Sequence, residues 1–479
     1  MSRDNTGFVG SAESLGAKDG RYTATSNEKS EKSAKSSSDV FTVELKNWPR
    51  TSKEFAVEYD PYANRQVAHP TTTWDTLFHL LKGSLGTGIL AMPLAFSHAG
   101  YAIGITGTII IGFLCTYCIR LLIRSEYELC KRRLVPSLTY EAVAEAALEE
   151  GPMFLRPIAP AVPHIVNIFL LVYQLGTCCV YVVFISENLK SAIDSYVGEI
   201  KLEYYMLATL LPLIFINWIR NLKLLAPFST AANGITFISF GIILYFIFRD
   251  PISFEGRHAL GTVQDFPLFF GTVLFALEAI GVMIPLENEM KNPKKFMTPF
   301  GVLNSGMSLI IFLYVFMGLF GYIRYGSGVK GSLTLNLPSE DVLGKVVQIL
   351  LALSIYVTHA LQCYPAIDIV WNVYLSKRVK ERKVMWEYVV RTTLVVATFF
   401  LAMAVPRLEL FISLFGALCL SALGLAFPAI IETCTFWSVQ DSTQNCIMVA
   451  KNGSLILFGL LGLVVGTYTS LSKIIESFS

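Results

Sequence analysis

Charge is what this chain has least of. Aspartate, glutamate, lysine and arginine make up 15% of its 479 residues, against about 25% in an ordinary soluble domain. The 38 basic and 36 acidic residues nearly cancel, leaving a net +2, so no basic face for nucleic acid is expected. Histidine is scarce as well, at 6 residues. No P-loop, nucleophile–base set or metal-ligand spacing appears, which argues against an enzyme and against a resident metal or cofactor. A cleavable secretory signal is missing too, because residues 1–70 are polar; the first apolar segment is therefore predicted to act as an uncleaved anchor. Of nine cysteines, Cys115, Cys118, Cys178, Cys179, Cys363 and Cys419 fall inside apolar segments. There they read as small hydrophobes rather than as disulfide or metal partners.

What fills the chain instead is apolar: 53% hydrophobic residues and a mean hydropathy of +0.53. The apolar residues come in blocks long enough to cross a bilayer. Eleven spans are predicted, at about 74–98, 101–123, 161–187, 204–219, 225–248, 264–286, 300–323, 343–373, 387–405, 408–431 and 446–471. The resulting class is an all-α polytopic membrane protein. Residues 1–70 hold ten acidic and ten basic residues and many serines. With too little apolar surface to offset the entropy of ordering, they are predicted to form a disordered tail. One set of alternate loops carries fifteen basic residues, including Lys131, Arg132, Arg133 and Lys294, and the opposite set nine. The richer side is expected to be cytosolic. That puts the N-terminus in the cytosol and, with an odd number of spans, the C-terminus outside the cell or in an organelle lumen.

The first span is a poor continuous helix. Gly83, Gly86, Gly88 and Pro93 fall in its middle, and together they cost about 6 kcal/mol relative to alanine. Backbone groups freed in hydrocarbon need a protein cavity, a water path or a ligand. The sixth span repeats the pattern: Gly88-Ile-Leu-Ala-Met-Pro93-Leu stands against Gly281-Val-Met-Ile-Pro285-Leu. Five spans separate the two, so they cross in opposite directions. Two inverted five-span halves, 71–250 and 251–435, each opening with a broken helix, describe a transporter architecture. Residues 436–479 add an eleventh span.

Polar groups at membrane depth gather near these breaks. Glu278 is either a substrate-amine partner or proton relay, or a capped carboxyl bracing the break. His79 titrates near physiological pH and is a candidate proton carrier, although a lone membrane histidine also serves as a helix-bridging donor. Lys82, three residues on, is read as snorkelling toward the interface. Tyr173, Gln174, Ser354, Tyr356, Thr358 and His359 either line a site or bond across helices.

The run His79-Leu-Leu-Lys-Gly-Ser-Leu-Gly-Thr-Gly-Ile-Leu-Ala-Met-Pro-Leu-Ala95 resembles the first-helix signature of proton-coupled transporters of the amino acid/auxin permease family. So do Gln174-Leu-Gly-Thr-Cys-Cys-Val-Tyr181, Phe269-Phe-Gly-Thr272, Ile284-Pro-Leu-Glu-Asn-Glu-Met-Lys-Asn292 and Leu335-Asn-Leu-Pro338. The resemblance spans about residues 70–475. It implies a LeuT-like fold and symport of small neutral amino acids with protons, which act as the coupling ion. It also implies that His79, with Glu278, handles the proton. Substrate carboxylate would meet Ser84, Gly86, Thr87 and Gly88, and substrate ammonium the carbonyls of Phe275, Ala276 and Leu277, with Tyr173 and Ser354 completing the pocket. The expected setting is the plasma membrane, the late endosome–lysosome, or both, with lipid around the spans. Two rival readings stand beside it. One is an amino acid sensor that signals to a cytosolic partner through the serine-rich tail; the other is a sodium-coupled carrier.

Overall fold

The computed structural model describes residues 59–478 except 66, 68, 69, 221, 278, 279, 339 and 406. Among them the chain is helical, and the one strand-like pairing is an isolated bridge between Thr71 and Met290. Among the described residues, nine helices are long and apolar enough to cross a membrane. A bent pair makes a tenth span, and Leu202–Asn217 is a shorter apolar helix that fills the eleventh position.

The bent pair is the first predicted span. Helix α1, Thr73–Ser84, begins at a capping box in which the Thr72 hydroxyl and the Asp75 carboxylate each take the other's backbone amide. This arrangement satisfies two orphan donors at once. Helix α2, Thr87–Ala99, follows after a bend of 55°. The second span, α3 (Tyr101–Arg133), runs ten residues past its predicted end. Its charged extension is held by the Arg132–Glu128 pair at 2.9 Å. Between the second and third spans lies α4, Tyr140–Glu150, which was read from the sequence as loop. Its Val143, Ala144, Ala146 and Ala147 are buried, and its glutamates face outward.

The third, fourth and fifth spans are α5 (Val162–Val197), α6 (Leu202–Asn217) and α7 (Leu222–Phe248). The sixth comprises α8 (Phe266–Ala276) and α9 (Ile280–Asn288), and residues 278 and 279 of its predicted break lie outside the described residues. Then come α10 (Val302–Tyr325) and α11 (Val342–Asp368), the latter continued to Leu375 by a π-helical stretch. The ninth span is α12, Lys383–Ala404. The tenth joins α13 (Leu408–Phe415) to α14 (Phe427–Phe436) through π-helix over Gly416–Ala426. Helix α15, Ser442–Glu476, ends the chain. All six cysteines assigned to apolar segments are buried.

Two close approaches fix how the broken spans sit. A Cβ on Gly416 would lie 1.9 Å from the carbonyl oxygen of Gly271, so α8 and the tenth span touch backbone to backbone. A Cβ on Gly88 would lie 2.7 Å from Cα of Ala276, so the start of α2 is pressed against the end of α8.

The predicted tail falls mostly outside the described residues, but its last part is packed onto the bundle. Arg65 pairs with Glu287 at 2.7 Å and lies 3.6 Å from Glu126, with all three side chains buried. It also donates through Nε to the carbonyl of Pro136. Asp60 meets Lys294 at 3.0 Å. Burial acts to raise the Asp60 carboxyl, and the hydrogen bond and charge of Lys294 outweigh it and hold it below its usual range.

Removing one partner of a buried ion pair costs about 3–5 kcal/mol, because the other charge stays buried. Arg65→Ala is therefore expected to lower the melting temperature of the purified protein by several degrees; an unchanged melting curve refutes the strap's structural role. At the break, Gly88→Val should abolish monodisperse, folded protein in size-exclusion chromatography. Gly83→Val should not, since a Cβ at Gly83 meets nothing within 4 Å. Equal behaviour of the two variants would rule out the tight Gly88–Ala276 contact.

A candidate site at the helix break

A cavity of about 520 Å³ opens beside the break of the first span. This lies within the range of small-molecule sites, about 300–1,000 Å³. From α1 and the break it takes His79, Lys82, Gly83, Leu85 and Gly86, and from α9 Gly281 and Val282. Helix α5 contributes Leu170, Gln174 and Tyr181, and α7 contributes Ser229, Asn233 and Thr236. The far wall is α11, with Ser354, Ile355, Thr358, Leu361, Gln362, Pro365 and Ile369.

The break owes its form to three local bonds. The amide of Leu85 closes the last turn of α1 on the carbonyl of Leu81, and the Gly86 amide bonds the carbonyl of Ser84. The Tyr314 hydroxyl of α10 donates to that same Ser84 carbonyl. Gly86 is extended and no side chain caps α2. The first amides of α2 thus lie at the positive end of a half-helix.

Of the residues singled out from the sequence, His79, Gly86 and Ser354 line the cavity. Half-buried His79 sits one turn from both Asp75 and Lys82. Ser354 is buried and committed to α7: it donates to the Ala232 carbonyl at 2.9 Å and lies 2.7 Å from the Thr236 hydroxyl. Ser84, Thr87 and Gly88 are buried at the break, behind the wall rather than on it. Phe275, Ala276 and Leu277 end α8 in the same way, with the Leu277 amide bonded to Val273. Tyr173 is buried against the ring of Phe275, centroid to centroid 6.0 Å. Glu278 lies outside the described residues. His359 is fully buried, with Nδ1 3.1 Å from Asn217, in the helix-bridging arrangement.

Several lining residues went unmarked in the sequence reading. Ser229, Asn233 and Thr236 are spaced i, i+4, i+7, a single polar stripe on α7, and that spacing was there to be seen. Gln362 donates to Gln174 across the cavity. The Tyr181 hydroxyl stands beside Gly86, 3.9 Å from where its Cβ would be. No carboxylate lines the cavity among the described residues, and Lys82 and His79 are its ionisable groups.

Comparisons with known proteins agree with this arrangement. The profile of the family described as "Transmembrane amino acid transporter protein" matches residues 69–472. The Drosophila melanogaster "Proton-coupled amino acid transporter-like protein pathetic" is 40% identical over 423 residues, covering 88% of this chain and 89% of that one. The Caenorhabditis elegans "Probable amino acid transporter skat-1" is 26% identical over 444 residues, covering 88% of this chain and 94% of that one. In structure, the chain resembles the inward-facing conformation of Mhp1, with a TM-score of 0.50 at 12% identity over 87% of this chain and 91% of that one. The fold is LeuT-like. With its broken first span packed against the sixth beside a cavity, and a family profile covering nearly all of its membrane helices, this chain belongs to the transmembrane amino acid transporter family.

Proposed function

We propose that the chain carries small neutral amino acids across a membrane in symport with protons, by alternating access around the cavity at the break. The observation that carries this reading is the position of His79. It is the one histidine on the cavity wall among the described residues, on the half-helix that leads into the break. Protonation there changes the charge facing the substrate within the physiological range. The name of the Drosophila relative supports proton coupling.

The lining favours neutral side chains. Amides and hydroxyls from Gln174, Asn233, Thr236, Thr358 and Gln362 offer hydrogen bonds without charge, while Lys82 opposes a cationic side chain. The amides at the start of α2 suit a carboxylate. Beyond the amide of Leu277, which is bonded within α8, the chain passes through Glu278, the remaining candidate for the ammonium or the proton. The loop charges support a cytosolic N-terminal side, and the membrane proposed is the plasma or lysosomal one.

One proton crossing 100 mV supplies about 2.3 kcal/mol, enough for about 50-fold accumulation. Proteoliposomes holding the full chain should take up neutral amino acids when an inward proton gradient is imposed. Uptake that follows a sodium gradient instead would assign sodium as the coupling ion. His79→Ala should reduce proton-driven uptake at least tenfold while protein yield and elution volume stay normal. Undiminished uptake in that variant would remove His79 from the coupling step.

A further inference from the structure

A second cavity, of about 240 Å³, lies on the outer surface between α3 and α10. The two helices are closest where a Cβ on Gly112 would lie 2.5 Å from the side chain of Ile311. Beside this contact is a wedge lined by Phe113, Thr116, Tyr117, Arg120, Asn304 and Ser308. Its narrow end is apolar and its wide end polar. Seven residues separate Phe113 from Arg120, about 10 Å along the helix.

Around the narrow end the surface is that of a lipid-facing helix pair, with Ile110, Phe113, Leu309 and Phe312 all exposed. At the wide end, Arg120 donates through Nη2 to the Met297 carbonyl at 3.3 Å and to Asn304 Oδ1 at 3.2 Å. Asn304 is itself held by donating to the carbonyls of Thr298 and Pro299. Both acceptors of Arg120 are neutral, and no carboxylate lies within ion-pairing distance of it among the described residues. Close by, Lys451 sits 5.2 Å from the centre of the Tyr117 ring and bonds Glu432 at 2.7 Å. Arg124 lies 3.8 Å from that same Glu432. Arg124 and Lys451 thus share one carboxylate while Arg120 has neutral acceptors, and the mouth of the wedge keeps a positive surplus.

A guanidinium at membrane depth is costly without a counter-charge. Basic pockets between membrane helices at the basic-loop side suit anionic head groups. We infer that this wedge binds an anionic glycerophospholipid, its phosphate on Arg120, which Asn304 holds in place, and one acyl chain along Phe113 and Phe312. The charge selects the head group, and the exposed apolar track calls for a chain attached to it. The site is separate from the helix break and does not depend on what the central cavity carries.

The test uses the purified full chain in a neutral detergent, with thermal unfolding as the readout. Phosphatidylglycerol, phosphatidylcholine and soluble glycerol phosphate are the probes. Phosphatidylglycerol should raise the melting temperature by several degrees, and the other two should leave it within error. Arg120→Gln should lose more than half of that shift. Ser308→Trp fills the wedge from an exposed position without touching the hydrogen bonds of Arg120, so it decides the matter if Arg120→Gln does not fold; it too should lose more than half. A full shift in Ser308→Trp, or an equal response to phosphatidylcholine, overturns the assignment. An equal shift with glycerol phosphate overturns the lipid and leaves a soluble phosphate site.

Discussion

Every peptide group placed in hydrocarbon must find its partner inside the protein, and the break of the first span is where this chain meets that demand by other means than a helix. The carbonyl of Ser84 has no helical partner, and it takes the Tyr314 hydroxyl from α10 and the amide of Gly86 instead. Once those bonds are made, the chain can turn by 55° and start a new helix. The turn leaves a wall of exposed backbone at Gly83 and Gly86, and the cavity is built against it. The sixth span comes up against the first because Gly88 admits the backbone of Ala276 where no larger residue fits. One carbonyl released from its helix and one missing side chain thus shape this side of the site.

The polar groups of the interior divide into those that hold helices together and those that line the cavity. Ser354, buried and bonded to Ala232 and Thr236, belongs to the first kind even though it borders the cavity. His359, bonded to Asn217, belongs to it as well. The Arg65–Glu287 pair is another, tying the segment before α1 to the end of α9. His79 and Lys82 stand on the cavity wall, on the half-helix that leads into the break. A binding site in a membrane needs both: groups that keep the walls apart, and groups on the wall that meet the solute.

Much of this was legible in the sequence. Glycines 83, 86 and 88 marked the first break, because helix propensity penalises glycine whatever surrounds it; Pro93 lies inside α2, and the echo at Gly281 and Pro285 lies inside α9. Long apolar blocks gave the spans. What stayed hidden depended on pairing across the chain. Periodicity shows that Ser229, Asn233 and Thr236 share a face, but not which neighbour that face meets. Phe275 and Ala276 end α8 and are buried, which only the packing reveals. Helix α4 was missed because its glutamates mask a short buried face of valine and alanine. Arg65 looked like part of a polar tail, since its partners Glu126 and Glu287 are 61 and 222 residues away.

Helix α1 is, in mechanical terms, a beam pinned at both ends. Its near end is fastened where the Thr71 amide bonds Glu289 and the Lys291 amide bonds Thr71, each at 2.9 Å. Its far end is fastened where Tyr314 holds Ser84. Both anchors lie on the sixth and seventh spans or the loop that joins them. A beam held this way can roll about the line between its pins, which swings His79 and Lys82 across the cavity mouth, but it cannot tilt without carrying α9 and α10 along. The cheapest rearrangement of the first half-helix is therefore a joint movement with the two spans that pin it.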